Sequence, residues 1–453
     1  MSEQEFLPLE VSIPNEAGWP KKTLDELCSL ISRGTAPVYV EGSSVLAIGQ
    51  RCVTTSRFAP EFARPHADRA MRNVLRPESG DVLLNSTGTG TIGRSVVFDH
   101  DGAFIVDGHV TVFRPRAEAA DGRWLNAVLR TPWGQSHLER FCYAGSTNQL
   151  ELSRKPVKAS ALPVPTVQEQ QGIAQILDIF DTAIRETEAL IDKLKAVKQG
   201  LLHDLLTRGI DANSQLRPPQ CEAPQLYKES PLGWIPREWD IEPIINLTSN
   251  SAIGPFGSDL VASDYRDSGV PVIFVRDVKP DQLVWKSNVF VSASKAQTLA
   301  AHEVRAGDVV ATKMGLPPCV AAVYPESMPC GIVTADIVCL RPCTDRIRPD
   351  WMSIFINFSA VAKQVEQITA GVTRPKVTLR DVRDLLIGLP PIKEQERVLD
   401  RLTAMQSRIQ IEEALYEKLT AEKVGLMNDL LTGRVRVTPL LESMQQAAAQ
   451  TEA

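Results

Sequence analysis

The sequence predicts an α+β chain made twice over, two domains of short strands and short helices with one long helix after each. Three observations carry this expectation. A stretch near the middle of the 453-residue chain recurs near its end without gaps, both copies carry heptad spacing, and the regions before them are rich in short β-branched runs bounded by turn residues.

The repeat comes first because it organises the rest. Residues 165–207 superpose on 390–432 at a constant offset of 225, with 18 of 43 positions identical, among them Glu169/Glu394, Gln170/Gln395, Lys193/Lys418, Gly200/Gly425 and the run Asp204–Thr207/Asp429–Thr432. Apolar residues alternate by four and three through Ile173, Leu177, Phe180, Ile184, Ile191, Leu194, Leu201 and Leu205. The second copy fills the same slots with Val398, Leu402, Met405, Ile409, Tyr416, Leu419, Leu426 and Leu430. Such spacing over more than four heptads is the mark of a coiled-coil seam, and about 39 helical residues span roughly 58 Å. Polar residues interrupt both seams at matching slots, Thr187 with Glu412 and Lys198 with Lys423. Two readings stand open: polar groups that fix register, or positions facing water where the helices diverge. Prolines lead into each helix (Pro163 and Pro165; Pro390 and Pro391), and a glycine follows each (Gly209, Gly433).

The preceding regions repeat more weakly. Gly80-Asp81-Val82 falls on Gly307-Asp308-Val309, Gly88 on Gly315, Arg114-Pro115 on Arg341-Pro342 and Trp124 on Trp351. Runs at 81–84, 95–98 and 109–113, and at 270–275, 309–312, 321–324 and 336–340, predict a twisted, mostly antiparallel sheet in each domain, followed by helices near 123–130 and 133–142 and near 350–357 and 359–369. The expected organisation is an N-terminal extension (1–17), a first domain (18–162), a long helix (163–210), a proline-rich linker (211–232), a second domain (233–388), a second long helix (389–435) and a tail (436–453).

Composition narrows the function. The net charge is −6 with 23% charged residues, so nucleic-acid binding has to come from local patches rather than a polybasic tail. No run reaches the ~20 apolar residues of a membrane span, and the acidic start MSEQEFLPLE is unlike a signal peptide, so a cytoplasmic protein without a membrane partner is expected. The eight cysteines include no CxxC pair; the tightest group, Cys319, Cys330, Cys339 and Cys343, reads as strand cysteines, and no metal is expected. Gly88-Thr89-Gly90-Thr91-Ile92-Gly93 matches the spacing of a dinucleotide loop. That site needs a helix next, on whose N-terminus the pyrophosphate rests, and the strand-like Arg94–Phe98 follows instead. The segment 85–91 reads better as a hairpin loop whose small polar groups can approach a phosphate or base edge. No methyltransferase, P-loop, zinc-protease or nucleophile-elbow motif occurs.

With the duplicated Pro-x-x-x-Glu-Gln segments (Pro165–Gln170, Pro390–Gln395), the heptads and the Leu-Leu-Thr exits (Leu205–Thr207, Leu430–Thr432), the chain resembles the specificity subunits of type I restriction–modification systems over about residues 18–435. The resemblance implies two α/β target-recognition domains in pseudo-twofold arrangement, separated by two long antiparallel coiled-coil helices. It implies that each domain reads one half of a bipartite, gapped double-stranded DNA site. The helices would set the spacing and dock two methyltransferase (modification) subunits, joined by restriction/translocase subunits. This chain would then be non-catalytic and without a cofactor, with S-adenosylmethionine, ATP and Mg on the partner subunits. A scaffold joining protein partners without DNA readout is the alternative the heptads alone allow.

Base-edge readout calls for Arg, Lys, Asn and Gln, with small polar groups at phosphates. The expected DNA-binding residues are Arg33, Gln50, Arg51, Asn85, Thr87, Thr89, Arg94, Asn148 and Gln149 in the first domain, and Ser258, Arg276, Lys313, Arg374 and Lys376 in the second. Arg57, Arg64, Arg69, Arg72 and Arg76 form a cluster that fits either a phosphate strand or an ordinary solvated face. Residues 17–160 hold 18 basic and 14 acidic side chains, a surplus of four, so weak DNA binding by the chain alone is expected. For the helix seam and partner docking, the expected residues are Ile173, Leu177, Phe180, Ile184, Leu194, Leu201, Val398, Leu402, Met405, Ile409, Leu419 and Leu426.

Overall fold

The computed structural model describes residues 9–68, 74–145, 150–371, 373 and 375–437. Two helices of 41 residues, Val167–Thr207 and Ile392–Thr432, are its longest elements. The chain forms two compact units, and neither is a contiguous segment: one contains 1–189 with 414–453, the other 190–413. Each unit thus combines one domain with part of both long helices.

In the first unit an antiparallel four-stranded sheet runs in the order Cys28–Arg33, Val110–Pro115, Val82–Asn85, Ser95–Val97. Successive side chains of a strand point to opposite faces, and here both faces are covered. Leu83, Val96, Val110 and Val112 meet Ile48, Phe58, Phe98 and Phe104. Val82, Leu84 and Phe113 turn the other way, onto Trp124, Leu125 and Val128 of the Gly122–Arg130 helix and onto Ile173 and Leu177 of the first long helix. The strands therefore read as continuous apolar runs. A second sheet pairs Val45–Ile48 in parallel with Ala103–Val106. The helix expected near 133–142 is a short helix, Pro132–His137, passing into a π-turn at Leu138–Cys142.

The second unit repeats the plan. Thr248–Ile253, Ile337–Pro342, Val309–Thr312 and Ala321–Val323 form the matching sheet. Val309, Ala311, Val338 and Leu340 pack on Trp351, Met352 and Phe355, and with Leu205, Leu206, Val398 and Leu402 of the long helices. Val270–Ile273 again pairs in parallel, with Gly331–Val333.

The repeated sequence signatures mark the joints. Gln170 Nε2 donates to the carbonyls of Ala119 (3.2 Å) and Pro165 (3.0 Å), and its Oε1 accepts the Asp121 N–H (2.8 Å). Gln395 does the same toward Arg346 (3.1 Å), Pro390 (2.8 Å) and the Arg348 N–H (2.9 Å). One buried amide per unit thus ties the long helix to the loop leading into the Gly122–Arg130 or the Pro349–Ile356 helix.

Within residues 211–232, expected as a linker, Arg217, Ala223 and Tyr227 are buried in the second unit. Arg217 is 6% exposed, Tyr227 is buried with its hydroxyl donating to the Pro218 carbonyl at 2.6 Å, and Tyr227–Ser230 pairs with Gly233–Pro236. Arg217 meets the buried carboxylate of Glu394, which needs a cation, and donates to both its oxygens, at 2.5 and 3.1 Å. In the first unit Glu169 pairs with the exposed Arg436, at 2.5 and 3.1 Å. Apart from its first two residues, the expected tail lies outside the described residues.

Candidate nucleic-acid interface

In the first unit, most of the described candidates converge on the loop between the Val82–Asn85 and Ser95–Val97 strands. Gln50, in a 3-10 turn (Gln50–Cys52), donates Nε2 to the Thr87 carbonyl and Oγ1, both at 2.6 Å. Arg33 Nη2 lies 3.4 Å from the Ser86 carbonyl, and its Nη1 pairs with Glu151 at 3.1 Å. Arg94 Nη2 donates to the Gly90 carbonyl at 2.6 Å, closing the loop. Gly88, Gly90 and Gly93 all adopt positive φ, and a Cβ on Gly93 would lie 2.4 Å from the Tyr143 hydroxyl, so glycine is required there. The strand that follows leaves no helix to seat a pyrophosphate.

Two candidates in this loop do not serve as expected. Asn85 is fully buried, with Nδ2 directed at the Gln50 (3.2 Å) and Val53 (3.4 Å) carbonyls, and Thr87 is buried with its hydroxyl against His109 Nδ1 at 2.8 Å. Both brace the loop, and neither side chain reaches a ligand without unpacking it. Thr89, Arg94 and Arg51 are exposed. Arg51 lies over the Phe62 ring at 4.7 Å. Asn148 and Gln149 lie outside the described residues.

The arginine cluster divides. Arg57 pairs with Glu61, Arg64 covers the Tyr39 ring at 3.7 Å, Arg76 is exposed, and Arg69 and Arg72 lie outside the described residues.

In the second unit a cleft of about 560 Å³ is lined by Pro255, Gly257, Phe274, Arg276, Ala335 and Asp336, among others. Arg276 is exposed over the Phe274 ring at 4.5 Å, and its Nε donates to Ser287 Oγ at 2.8 Å. Lys313 lies over Phe256 at 5.1 Å and donates to the Ala335 carbonyl at 3.2 Å. Lys376 is exposed, and its backbone bridges Met314. Leu316, 85% exposed, and Phe256, 57% exposed, stand in this region, and polar-residue reasoning passed over both. Arg374 and the side chain of Ser258 lie outside the described residues.

On the long helices, Ile173, Leu177, Val398, Leu402 and Ile409 are buried, while Phe180, Ile184, Leu194, Leu201, Met405, Leu419 and Leu426 are half-buried. The buried ones are covered by this chain. The apolar residues left outward are Ile179, Leu415 and Val424 in the first unit, and Leu190, Val197 and Ile411 in the second. Leu190 and Leu415 are 225 apart, and heptad counting hid them because they fall outside the a/d slots.

Of the polar interruptions, the two lysines make cross-helix pairs, while the buried Thr187 and Glu412 bond within their own helices, to the Ala183 carbonyl and to Arg408. Lys423 forms an ion pair with Asp181 in the first unit, and Lys198 Nζ donates to Gln406 Oε1 at 2.7 Å in the second. Asp181 and Gln406 are themselves 225 apart, so one cross-helix pair occurs twice. Within each unit these pairs fix antiparallel helices: from Glu169 to Asp181 the partner falls from Arg436 to Lys423, and from Lys195 to Lys198 it falls from Glu413 to Gln406.

Among the described residues no group of three or more His, Cys, Asp or Glu side chains could hold a metal ion, and no helix is long and apolar enough to cross a membrane.

Comparison with known proteins follows the same division of the chain. The family model for the type I restriction modification DNA specificity domain matches residues 72–196 and 326–421. The putative type I restriction enzyme MjaX specificity subunit of Methanocaldococcus jannaschii is 23% identical over 366 residues, 79% of each chain. The MjaVIII specificity subunit of the same organism is 22% identical over 294 residues, 64% of this chain and 65% of that one. A chain from a structure of the type I restriction–modification system, described for its complex assembly and conformational transition, has a TM-score of 0.55 at 16% identity, covering 94% of this chain and 100% of that one; the likeness is one of fold.

Proposed function

We propose, for a chain that belongs to the type I restriction–modification DNA specificity family, that it is the subunit that selects the DNA sequence for a modification and restriction complex. The observation that carries this is the double match of the family model, once to each copy of the domain-plus-helix unit. Each domain reads one half of a bipartite, gapped site, and the long helices set the spacing between halves. Two methyltransferase subunits dock on the helices, where Ile179, Leu415 and Val424, and Leu190, Val197 and Ile411, offer apolar side chains that this chain leaves uncovered. Restriction/translocase subunits complete the assembly. The chain itself is non-catalytic and works in the cytoplasm; adenine methylation draws S-adenosylmethionine, and translocation draws ATP and Mg, on those partners.

The chemistry of the two faces supports this division. The loop and turn residues supply guanidinium, hydroxyl and ammonium donors suited to phosphates and base edges. Methylome sequencing of a host with and without this gene tests the reading. A gapped methyladenine motif should vanish on deletion. Exchange of residues 18–160 for the same domain of a relative should alter one half of the motif and leave the other. An unchanged methylome in a host with intact partner subunits would sink the proposal.

A further inference from the structure

We infer that Arg51 and Arg276 are equivalent guanine readers, one for each half of the DNA site; this rests on the DNA-reading function proposed above. The two residues are 225 apart in sequence. Each sits in the 3-10 turn, Gln50–Cys52 or Val275–Asp277, that follows the strand paired in parallel with its neighbour, Val45–Ile48 or Val270–Ile273. Both side chains are exposed and each lies over an aromatic ring, at 4.7 Å for Arg51 on Phe62 and 4.5 Å for Arg276 on Phe274.

The rings come from different places. Phe62 belongs to a separate turn, Pro60–Phe62, whereas Phe274 lies two residues before its arginine, at the slot that Gly49 fills in the first domain. The same support has been built from unrelated positions, which points to selection for a held guanidinium rather than to a relic of duplication.

The pairing state sets these two arginines apart from several neighbours, though not from Arg64, over the Tyr39 ring, or Arg94, neither of which has an ion pair among the described residues. Arg33, Arg57, Arg114 and Arg341 are each tied to a carboxylate. Arg51 and Arg276 have no ion pair among the described residues. Arg276 gives its Nε to Ser287 Oγ, which is held in turn by the buried Asp277 at 2.7 and 2.6 Å, so its Nη1/Nη2 edge stays available. The turn of Arg51 is tethered through Gln50 to Thr87 in the glycine-rich loop. A planar guanidinium resting over a ring, its two outer nitrogens without a bond among the described residues, matches the O6 and N7 acceptors of guanine in the major groove. Lysine cannot copy that fork, although it keeps the charge.

The test uses the full chain with its modification subunits and reads the methyladenine motif genome-wide. Arg51→Lys should relax one guanine position in one half of the motif by roughly tenfold, and Arg276→Lys a guanine in the other half. Phe62→Leu should weaken discrimination at the same position as Arg51→Lys, an effect that loss of general stability would spread over both halves. Unaltered thermal melting of each variant shows that folding is intact. A wild-type motif with uniformly lower methylation would mean phosphate contact and overturn the proposal, as would an unchanged motif or relaxation of the same half by both lysine variants. If the wild-type chain specifies no gapped motif at all, the specificity reading beneath it falls, and this proposal with it.

Discussion

Asp81 and Asp308 do the same work in the two domains. Each is buried, 1% and 3% exposed, and each takes a two-pronged bond from an arginine on the adjacent strand: Arg114 Nε and Nη2 at 3.0 and 2.8 Å, and Arg341 Nε and Nη2 at 2.9 and 2.8 Å. The carboxylate raises the pKa of each arginine further, keeping it charged. This explains why the Gly-Asp-Val and Arg-Pro signatures recur together in a sequence where little else of the sheet does. Asp308 also accepts the Arg305 N–H at 2.9 Å. Asp308→Ala should therefore cost about 3 kcal/mol, since bonds to charged groups contribute more than neutral ones and the guanidinium loses its partner. Denaturant midpoints measure this, and a loss under about 1 kcal/mol would refute the structural role. The cysteines give a second residue-scale prediction. Burial pushes the Cys28 and Cys319 thiols up to about 12, while Cys221 and Cys330 are exposed. At pH 8 the native protein should label at Cys221 and Cys330 first, and at Cys28 and Cys319 only after unfolding, as read by peptide mass spectrometry after iodoacetamide.

At the scale of elements, the seam pairs show how two helices hold one register. Heptads alone permit slippage by seven residues; a cation opposite a fixed acceptor does not. Asp181→Lys sets two ammonium groups against each other in the first unit and should cost about 1–2 kcal/mol. Adding Lys423→Asp restores an opposite-charge pair and should recover most of the loss in thermal melts. Additive losses in the double variant would remove the pairing from the account. The helices were legible because period and repeat were both strong, and the matched interruptions at Lys198 and Lys423 were visible before their partners were. Their partners were not, because Asp181 and Gln406 carry no signal of which helix they face. The parallel strand pairs and the Arg217–Glu394 clasp escaped for a related reason, since each joins segments far apart in sequence with no periodic trace. At the interface, residue type singled out Arg51 and Arg276 but not their ring supports. It also promoted Asn85, whose orientation only the packed loop decides.

For the whole molecule, the decisive fact is that each compact unit draws on both long helices, so neither unit is a cuttable length of chain. In the first unit Leu430, Leu431 and Val437 are buried in one cluster with Trp19, Trp124, Ile173 and Leu177, and Leu426 and Met427 pack against it. Gly433, at φ +74, passes so close to Trp19 that a Cβ would lie 3.2 Å from the ring. Removing residues 414–453 strips out these side chains and uncovers their partners. Each fully buried leucine contributes about 2–3 kcal/mol, against a total stability of about 5–15 kcal/mol for a domain. A chain ending at residue 413 should therefore lose the first domain, whose own sequence is untouched, while residues 190–413 keep every helix and strand of the second unit. Hydrogen exchange read by mass spectrometry distinguishes the outcomes. Protection should vanish in the Val82–Asn85 and Val110–Pro115 strands and persist in Val309–Thr312 and Ile337–Pro342. Full protection of the first sheet in the shortened chain would mean that the domain folds without the second helix. The duplication would then be two independent domains rather than two units that each need both halves of the chain.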